Sequence, residues 1–151
     1  TPLIRALLRL GAVVVCAGGG GVPVVRDEVG ELQGVEAVVD KDLTSAVLAE
    51  ALDADALLVL TDVPAVMRGF GTPNQAAIHR ETPAGLRQLD LPAGSMGPKV
   101  EAVCRFVELT GGMAAIGALE NVAAILDGTS GTVVTPSGRY EGPVPAPGAA
   151  P

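Results

Sequence analysis

The chain has 151 residues, enough for one domain with a buried core. Apolar residues make up 48% of it and aromatic residues only 2%, so the core must be built from Ala, Val, Leu and Ile. The net charge is −7 and no run is rich in Lys or Arg, which argues against nucleic-acid binding. No apolar stretch reaches the roughly 18 residues of a membrane-spanning helix, and the first residues do not have the pattern of a signal peptide. We therefore expect a cytoplasmic protein with no membrane partner.

The N-terminal part begins with an amphipathic helix over Pro2–Leu10 that stops at Gly11. Ala12–Ala17 is a continuous run rich in β-branched residues, which is typical of a strand buried on both faces. Gly18–Gly21 follow it directly. Cys16 lies in this apolar run and Cys104 in a later apolar helix, so we expect both cysteines to be buried free thiols.

Next comes a predicted hairpin, because two β-favouring runs, Val22–Val25 and Val35–Val39, flank a polar, glycine-bearing segment. Asp42 is predicted to cap a helix that continues through Leu52. Ala56–Leu60 then has the composition of a second buried strand.

The second half of the chain begins with an irregular stretch over residues 63–93, with turns at Gly69–Pro73 and a short helix over Pro83–Asp90. Pro98 lies where the first turn of a helix tolerates it, and that helix ends before Gly111. Three further elements are predicted, namely a strand over Met113–Ile116, a helix over Leu119–Leu126 and a strand over Thr132–Thr135.

Strands that alternate with helices at this spacing predict an α/β fold, a three-layer sandwich with a mainly parallel sheet covered on both faces. Residues 1–136 form one lobe of this kind. Residues 137–151 are rich in Pro, Gly and Ala without periodicity, which predicts a disordered tail.

Two polar clusters occupy the places where such sheets bind ligands, beyond the carboxyl ends of strands. Gly18–Gly21 would let backbone N–H groups approach an anion closely, although a steric turn explains them as well. Thr61-Asp62-Val63 follow a strand, so a hydroxyl and a carboxylate could reach a ribose or a metal there. A turn-forming Asp is an equally good explanation.

Two more clusters lie at predicted helix starts. Asp40-Lys41-Asp42 could be a charged site, or a cap next to a surface ion pair. Ala93-Gly94-Ser95-Met96-Gly97-Pro98-Lys99 would form an anion-binding nest with a lysine in the first helical turn. A lysine at that end of a helix opposes the helix dipole, which favours a bound anion as the explanation.

In this order the clusters resemble the carbamate kinases of the amino acid kinase superfamily, and the similarity runs to about Val134. The most specific matches are Asp40-Lys41-Asp42 and Gly94-Ser95-Met96-Gly97-Pro98-Lys99. The other matching segments are 16–24, 34–43, 54–63, 70–73 and 115–117. The resemblance covers only the C-terminal, nucleotide-binding half of such an enzyme.

The resemblance implies a reversible reaction, in which ATP and carbamate give ADP and carbamoyl phosphate, usually run toward ATP in arginine breakdown. It makes Lys41, Asp42 and Lys99 catalytic, with Lys99 at the transferring phosphoryl group, Lys41 at the nucleotide phosphates and Asp42 orienting both lysines. Gly18, Gly19, Gly20 and Gly21 would face the other substrate. Nucleotide binding would involve Thr61, Asp62, Val63, Met67, Ala93, Gly94, Ser95, Met96, Gly97 and Pro98. Mg²⁺ would arrive with the nucleotide, no protein metal ligands are expected, and the full-length form would be a homodimer.

The chain departs from the family pattern in two ways. Met67 and Gly69 stand where the family normally carries an aromatic residue and an Asn, and the family's N-terminal half has no counterpart here. We therefore expect little or no turnover by these residues alone. A non-catalytic nucleotide-binding module is the alternative, and a kinase with another acceptor is a third hypothesis that the two specific motifs disfavour.

Overall fold

The computed structural model describes residues 1–91 and 96–140. Its helices are α1 (Pro2–Arg9), α2 (Lys41–Ala51), α3 (Pro83–Arg87), α4 (Met96–Thr110) and α5 (Val122–Leu126), with a 3₁₀ turn at Leu119–Asn121. Its strands are β1 (Val24–Arg26), β2 (Leu32–Gly34), β3 (Ala56–Thr61), β4 (Val66–Arg68), β5 (Ala76–Ile78), β6 (Arg80–Glu81), β7 (Met113–Ala118) and β8 (Thr132–Val134).

A four-stranded sheet with the order β3-β7-β8-β6 lies at the centre of the fold. β3 pairs with β7 in parallel from Ala56 opposite Met113 to Thr61 opposite Ala118, and β6 pairs with β8 in parallel. β7 and β8 are antiparallel. Two of the three pairings are thus parallel, which confirms the mainly parallel sheet predicted from the sequence.

The core lies on both faces of this sheet, because the strands are apolar on both sides. On one face α2, α3 and α4 contribute a large cluster around Phe106, Val103 and Leu86, together with Val59 and Ile116 of the sheet. On the other face a smaller cluster forms around Ile125, Val133 and Met113. The predicted three-layer α/β sandwich is therefore confirmed.

The long helices end where the sequence provides residues that tolerate a left-handed backbone. After α4, Gly111 has a φ of +71°, and its N–H donates to the carbonyl of Val107 at 2.9 Å. After α2, Asp53 has a φ of +53°. Arg5 of α1 then ties the first helix to this end of α2, because its guanidinium contacts the Asp53 carboxylate at 2.7 Å.

The strand predicted at Ala12–Ala17 is wrong. The segment does not pair with any strand of the described chain, and Val13 and Val15 are almost fully exposed. A β-branched run forms a buried strand only where neighbouring strands and helices cover it, and the described residues cover this segment only partly and on one side, at Val14 and Cys16. The expectation that both cysteines are buried is correct for Cys104 and wrong for Cys16, which is only half-buried.

The hairpin predicted around residues 26–34 exists, but its second strand is β2 at Leu32–Gly34, so the strand predicted at Val35–Val39 is wrong. The turn decides the register. Asp27 accepts hydrogen bonds from the backbone N–H groups of Val29 and Glu31, which closes a short loop and pairs Arg26 with Leu32. The N–H of Val35 still donates to the carbonyl of Pro23 at 3.2 Å, and residues 36–39 then continue toward α2 without a partner strand in the described part of the chain.

The middle of the chain is more regular than predicted. β4 and β5 form an antiparallel hairpin, with Val66 opposite Ile78 and Arg68 opposite Ala76, and its turn covers the predicted turns at Gly69–Pro73. The predicted short helix is present as α3. The predicted strands and helices of the last third are also present, with β7 two residues longer than expected.

The chain continues past β8 in a turn. Thr135 Oγ1 donates to the carbonyl of Arg139 at 2.9 Å, and the Tyr140 hydroxyl donates to the carbonyl of Leu126. Residues 141–151 lie outside the described chain, so the tail over 137–151 stays a prediction. Among the helices described, none combines the length and the apolar character that a membrane span requires.

Candidate functional site

The N-terminus of α2 places the first charged residues of the site. Asp40, not Asp42 as predicted, is the N-cap, because its Oδ1 accepts from the N–H groups of Asp42 at 2.8 Å and Leu43 at 3.0 Å. Asp40 holds the extended backbone conformation of a cap, with φ of −70° and ψ of 133°. Asp42 is therefore free of the capping role, and its carboxylate lies in the first turn of the helix.

The Asp42 carboxylate pairs with Lys99, which lies 57 residues further along the chain in the first turn of α4. Nζ of Lys99 is 2.9 Å from Oδ2 of Asp42, and the two side chains are only 10% and 12% exposed. An ion pair so well shielded costs desolvation energy, and removing either partner would leave a nearly buried charge without compensation. Asp42 thus provides the negative charge that this lysine needs at the positive end of a helix dipole.

A second ammonium group faces the same carboxylate oxygen. Nζ of Lys41 is 3.9 Å from Oδ2 of Asp42, and the Lys41 side chain is 69% exposed. The three groups together carry a net charge of +1, with one lysine held in place and one extended into solvent. Such an arrangement suits a polyanion, which the mobile lysine can reach and the fixed lysine can orient.

The glycine turn packs directly against this helix start. A Cβ on Gly20 would lie 1.7 Å from the carbonyl oxygen of Val39, so only glycine fits there. Thr44 Oγ1 lies 3.0 Å from the carbonyl oxygen of Gly20 and 2.8 Å from that of Asp40, which links the turn to the first turn of α2. The structure therefore brings Lys41, Asp42 and Lys99 together, and it links Gly20 of the glycine turn to the start of α2.

The carboxyl end of β3 carries Thr61 and Asp62. Thr61 Oγ1 donates to the Asp62 carboxylate at 3.1 Å, and the Asp62 side chain is exposed. Because β3 and β7 are parallel, this end lies at the same edge of the sheet as the end of β7. Val63 continues from it toward β4.

A cleft of about 620 Å³ opens between the β4–β5 hairpin and α3. Among the described residues of the predicted nucleotide site, Met67 alone lines it. The other lining residues are Arg68, Gly69, Phe70, Thr72, Glu81, Gly85, Gln88, Leu89 and Asp90. These residues were not predicted, because Val66-Met67-Arg68 and Ala76-Ala77-Ile78 each contain only one β-branched residue, and the Gly- and Pro-containing turn between them was the only local signal of a hairpin.

One wall of this cleft, α3, is held against α4 by Arg87. Its Nε and Nη2 contact the Glu101 carboxylate at 3.0 and 3.2 Å, and its guanidinium also binds Glu108. The bond to Glu108 raises the pKa of the Arg87 guanidinium, and the same bond lowers the pKa of the Glu108 carboxyl. Arg87 therefore remains charged and keeps α3 in place.

The glycine-rich loop before α4 is only partly described. Ala93, Gly94 and Ser95 of the predicted site lie outside the described residues. Met96, Gly97 and Pro98 form the first turn of α4 and lead directly into Lys99. Residues 91–98 come after α3 in the sequence and lead into Lys99. This segment therefore connects the α3 wall of the cleft to the lysine that Asp42 holds.

The sequence that forms this site matches a known protein family. The sequence profile of the amino acid kinase family matches residues 1–116, and the chain belongs to this family. It is 48% identical to the carbamate kinase of Rhizobium meliloti over 98% of its own length and 48% of that protein. It is 49% identical to the carbamate kinase of Haemophilus influenzae over 87% of its own length and 43% of that protein.

A solved structure supports the same relationship. The carbamate kinase of Giardia lamblia, bound to AMP-PNP, superposes with a TM-score of 0.81 at 34% identity, covering 89% of this chain and 48% of that one. The chain thus spans about half the length of the carbamate kinases that it matches. The resemblance found in the sequence is confirmed.

Proposed function

We propose that this chain is the nucleotide-binding part of a carbamate kinase, which transfers a phosphoryl group reversibly between ATP and carbamate. The observation that carries the proposal is the ion pair between Lys99 and Asp42, with Lys41 on the same carboxylate and the glycine turn beside it. Phosphoryl transfer requires positioning and positive charge more than a covalent nucleophile.

In the proposed site each charged residue has a separate task. Lys99, nearly buried and fixed by Asp42, neutralises the transferring phosphoryl group and the leaving oxygen. Lys41, exposed and less constrained, binds nucleotide phosphate. Gly18–Gly21 face the second substrate, since a bare backbone lets a small anion approach the two lysines.

The nucleotide itself is proposed to occupy the region from Thr61–Val63 to the cleft at Met67, and residues 93–98 are proposed to take part in binding it. The Giardia relative, which superposes on this chain, is bound to AMP-PNP, and this supports a nucleotide as the ligand. Met67 replaces the family's usual aromatic residue, and its flexible thioether can fill the same space against a base. The described residues contain no group of three His, Cys, Asp or Glu side chains arranged for a metal. Mg²⁺ would enter on the nucleotide phosphates, keep most of its waters and add positive charge to them.

The relatives are about twice as long, so catalysis is proposed for the chain joined to the half that it does not contain. The cytoplasmic location, the role in arginine breakdown and the homodimer that the resemblance implies belong to this assembled form. The alternative is a nucleotide-binding module without catalysis.

The decisive experiment measures ATP formed from ADP and carbamoyl phosphate with a luciferase readout. It uses this chain alone and this chain fused behind the corresponding N-terminal half of the Rhizobium relative. We expect activity in the fusion and little in the chain alone. In the fusion, Lys99→Ala should lower kcat by about 100-fold or more, because an electrostatic stabiliser of the transition state is lost.

Arg105→Ala is the matched control, since Arg105 lies exposed on the same helix. Circular dichroism checks that both variants are folded, because Lys99→Ala leaves Asp42 without its partner. An unchanged kcat in Lys99→Ala would remove Lys99 from the site. A folded fusion that binds ADP but forms no ATP would favour the non-catalytic module.

A further inference from the structure

Thr132, at the start of β8, is completely buried, and its hydroxyl makes two hydrogen bonds to the same hairpin. Oγ1 accepts from the N–H of Val66 at 2.8 Å and donates to the carbonyl of Ile78 at 2.5 Å. Val66 and Ile78 face each other in the register of the β4–β5 hairpin. A single hydroxyl therefore closes the base of the hairpin that forms one wall of the cleft.

The opposite wall is attached to the same strand. Glu81 of β6 lies opposite Val134 of β8, and the N–H of Val133 donates to the carbonyl of His79 at 2.9 Å. Thr82 then caps α3, which carries the cleft residues Gly85 and Gln88. β8 thus holds the α3 wall through backbone pairing, and it contacts the hairpin through the Thr132 side chain and through His79, the residue that directly follows β5.

These two attachments differ in how easily they are lost. The β6–β8 pairing needs only the backbone and survives almost any substitution. The polar groups at the base of the hairpin depend on one hydroxyl with both a donor and an acceptor partner, in a buried place where an unpaired N–H or carbonyl is costly, while Val66 and Ile78 also pack in the apolar core. The side chain at position 132 therefore fixes the backbone at the base of the hairpin that lines the cleft.

We propose that Thr132 is a positioning residue for nucleotide binding, which fixes the β4–β5 hairpin so that Met67 and its neighbours form a preorganised wall. It touches no substrate itself and acts through Val66 and Ile78. The proposal rests on the proposed function for the identity of the ligand, but the fixing of the hairpin is independent of it.

The test compares Thr132→Val, Thr132→Ser and Thr129→Val in the full 151-residue chain. Val has the shape of Thr without its hydroxyl, Ser keeps the hydroxyl without the methyl group, and Thr129 is an exposed threonine whose hydroxyl binds only the nearby carbonyl of Ala124. Hydrogen exchange over residues 66–78 reports on the hairpin, and calorimetry measures the Kd for AMP-PNP with Mg²⁺.

We expect Thr132→Val to lose exchange protection in the hairpin and to weaken AMP-PNP binding roughly 5- to 30-fold, the equivalent of a lost buried hydrogen bond. Thr132→Ser and Thr129→Val should stay within about twofold of the parent chain, since the buried polar groups keep their partner. This pattern would separate positioning from a general loss of stability.

The proposal would be overturned if hydrogen-exchange protection of the hairpin were unchanged in Thr132→Val. It would also be overturned if the parent chain binds AMP-PNP and Thr132→Val binds it with the same affinity. If Thr132→Val does not fold, Thr132→Ser provides the test instead. A folded serine variant that has lost hydrogen-exchange protection in the hairpin would contradict a role for the hydroxyl. If neither the parent chain nor its fusion to the Rhizobium N-terminal half binds AMP-PNP, the proposed function fails, and hairpin protection alone still shows whether Thr132 fixes the wall.

Discussion

The first forty residues and the central sheet contain similar β-branched residues, but their solvent exposure is very different. Val13 and Val15 are 95% and 94% exposed, whereas Val133 and Val134 of β8 are 1% and 0% exposed. Both regions contain short runs of β-branched residues that predict buried strands equally well. The difference is that the strands of the central sheet have partner strands and helices over them, while Ala12–Ala17 has no partner strand within the described chain and is only partly covered on one side. Apolar burial thus depends on what covers a segment as much as on its own sequence.

Replacing one residue from each region tests this comparison most strongly. Phe106→Ala should lower the free energy of unfolding by about 3–5 kcal/mol, because the ring lies in the fully buried core between α4 and the sheet. Val13→Ala should change it by less than about 0.5 kcal/mol. Urea denaturation followed by circular dichroism measures both. A large loss in Val13→Ala would mean that this segment is covered in solution, and a dependence on protein concentration would identify a second copy as the cover.

The reactivity of the two cysteine thiols tests the same comparison. Burial raises the pKa of the Cys104 thiol to about 11, and its Sγ lies 3.6 Å from the carbonyl oxygen of Pro83. At pH 8 roughly 0.1% of such a thiol is the reactive thiolate. We expect Cys16, half-buried in the first region, to react with a disulfide reagent at least about tenfold faster than Cys104. The variants Cys16→Ser and Cys104→Ser, titrated separately, assign the two rates. Equal rates would contradict the difference in burial.

The smallest expected effect concerns one carboxylate in each region. The hydrogen bond from Arg87 lowers the pKa of Glu108, and the N–H of Glu31 lowers that of Asp27. A lowered folded pKa stabilises the fold above the unfolded value, and this contribution disappears as the pH falls through the folded value. Glu108→Gln should therefore cost roughly 0.5–1 kcal/mol at pH 7, given solvent screening, and almost nothing near pH 3.

Asp27→Asn is the companion variant in the first region. Asp27 closes only the β1–β2 loop, so this change should alter the amide shifts of the hairpin and leave global unfolding unchanged at both pH values. A free energy of global unfolding that changes in Asp27→Asn and stays the same in Glu108→Gln would be the opposite result. That result would contradict the conclusion that the second region, and not the first, determines global stability.

Much of the site could be predicted because its residues are contiguous motifs at element ends. Asp40-Lys41-Asp42 and Met96–Lys99 each stand at a helix start, and the family pattern linked them across the chain. The cap was assigned to the wrong aspartate, since Asp40 and Asp42 suit the role equally in sequence. Thr132 could not be predicted as important, because its partners Val66 and Ile78 are 66 and 54 residues away and contribute only backbone atoms.

The sequence by itself determined the family, the α/β class and the bounds of the well-covered elements, because periodicity, capping and glycine turns are local properties. Only the tertiary structure decided which apolar runs are buried and which hydroxyl joins β8 to the β4–β5 hairpin. These depend on contacts between segments far apart in the chain, and a local pattern does not contain that information.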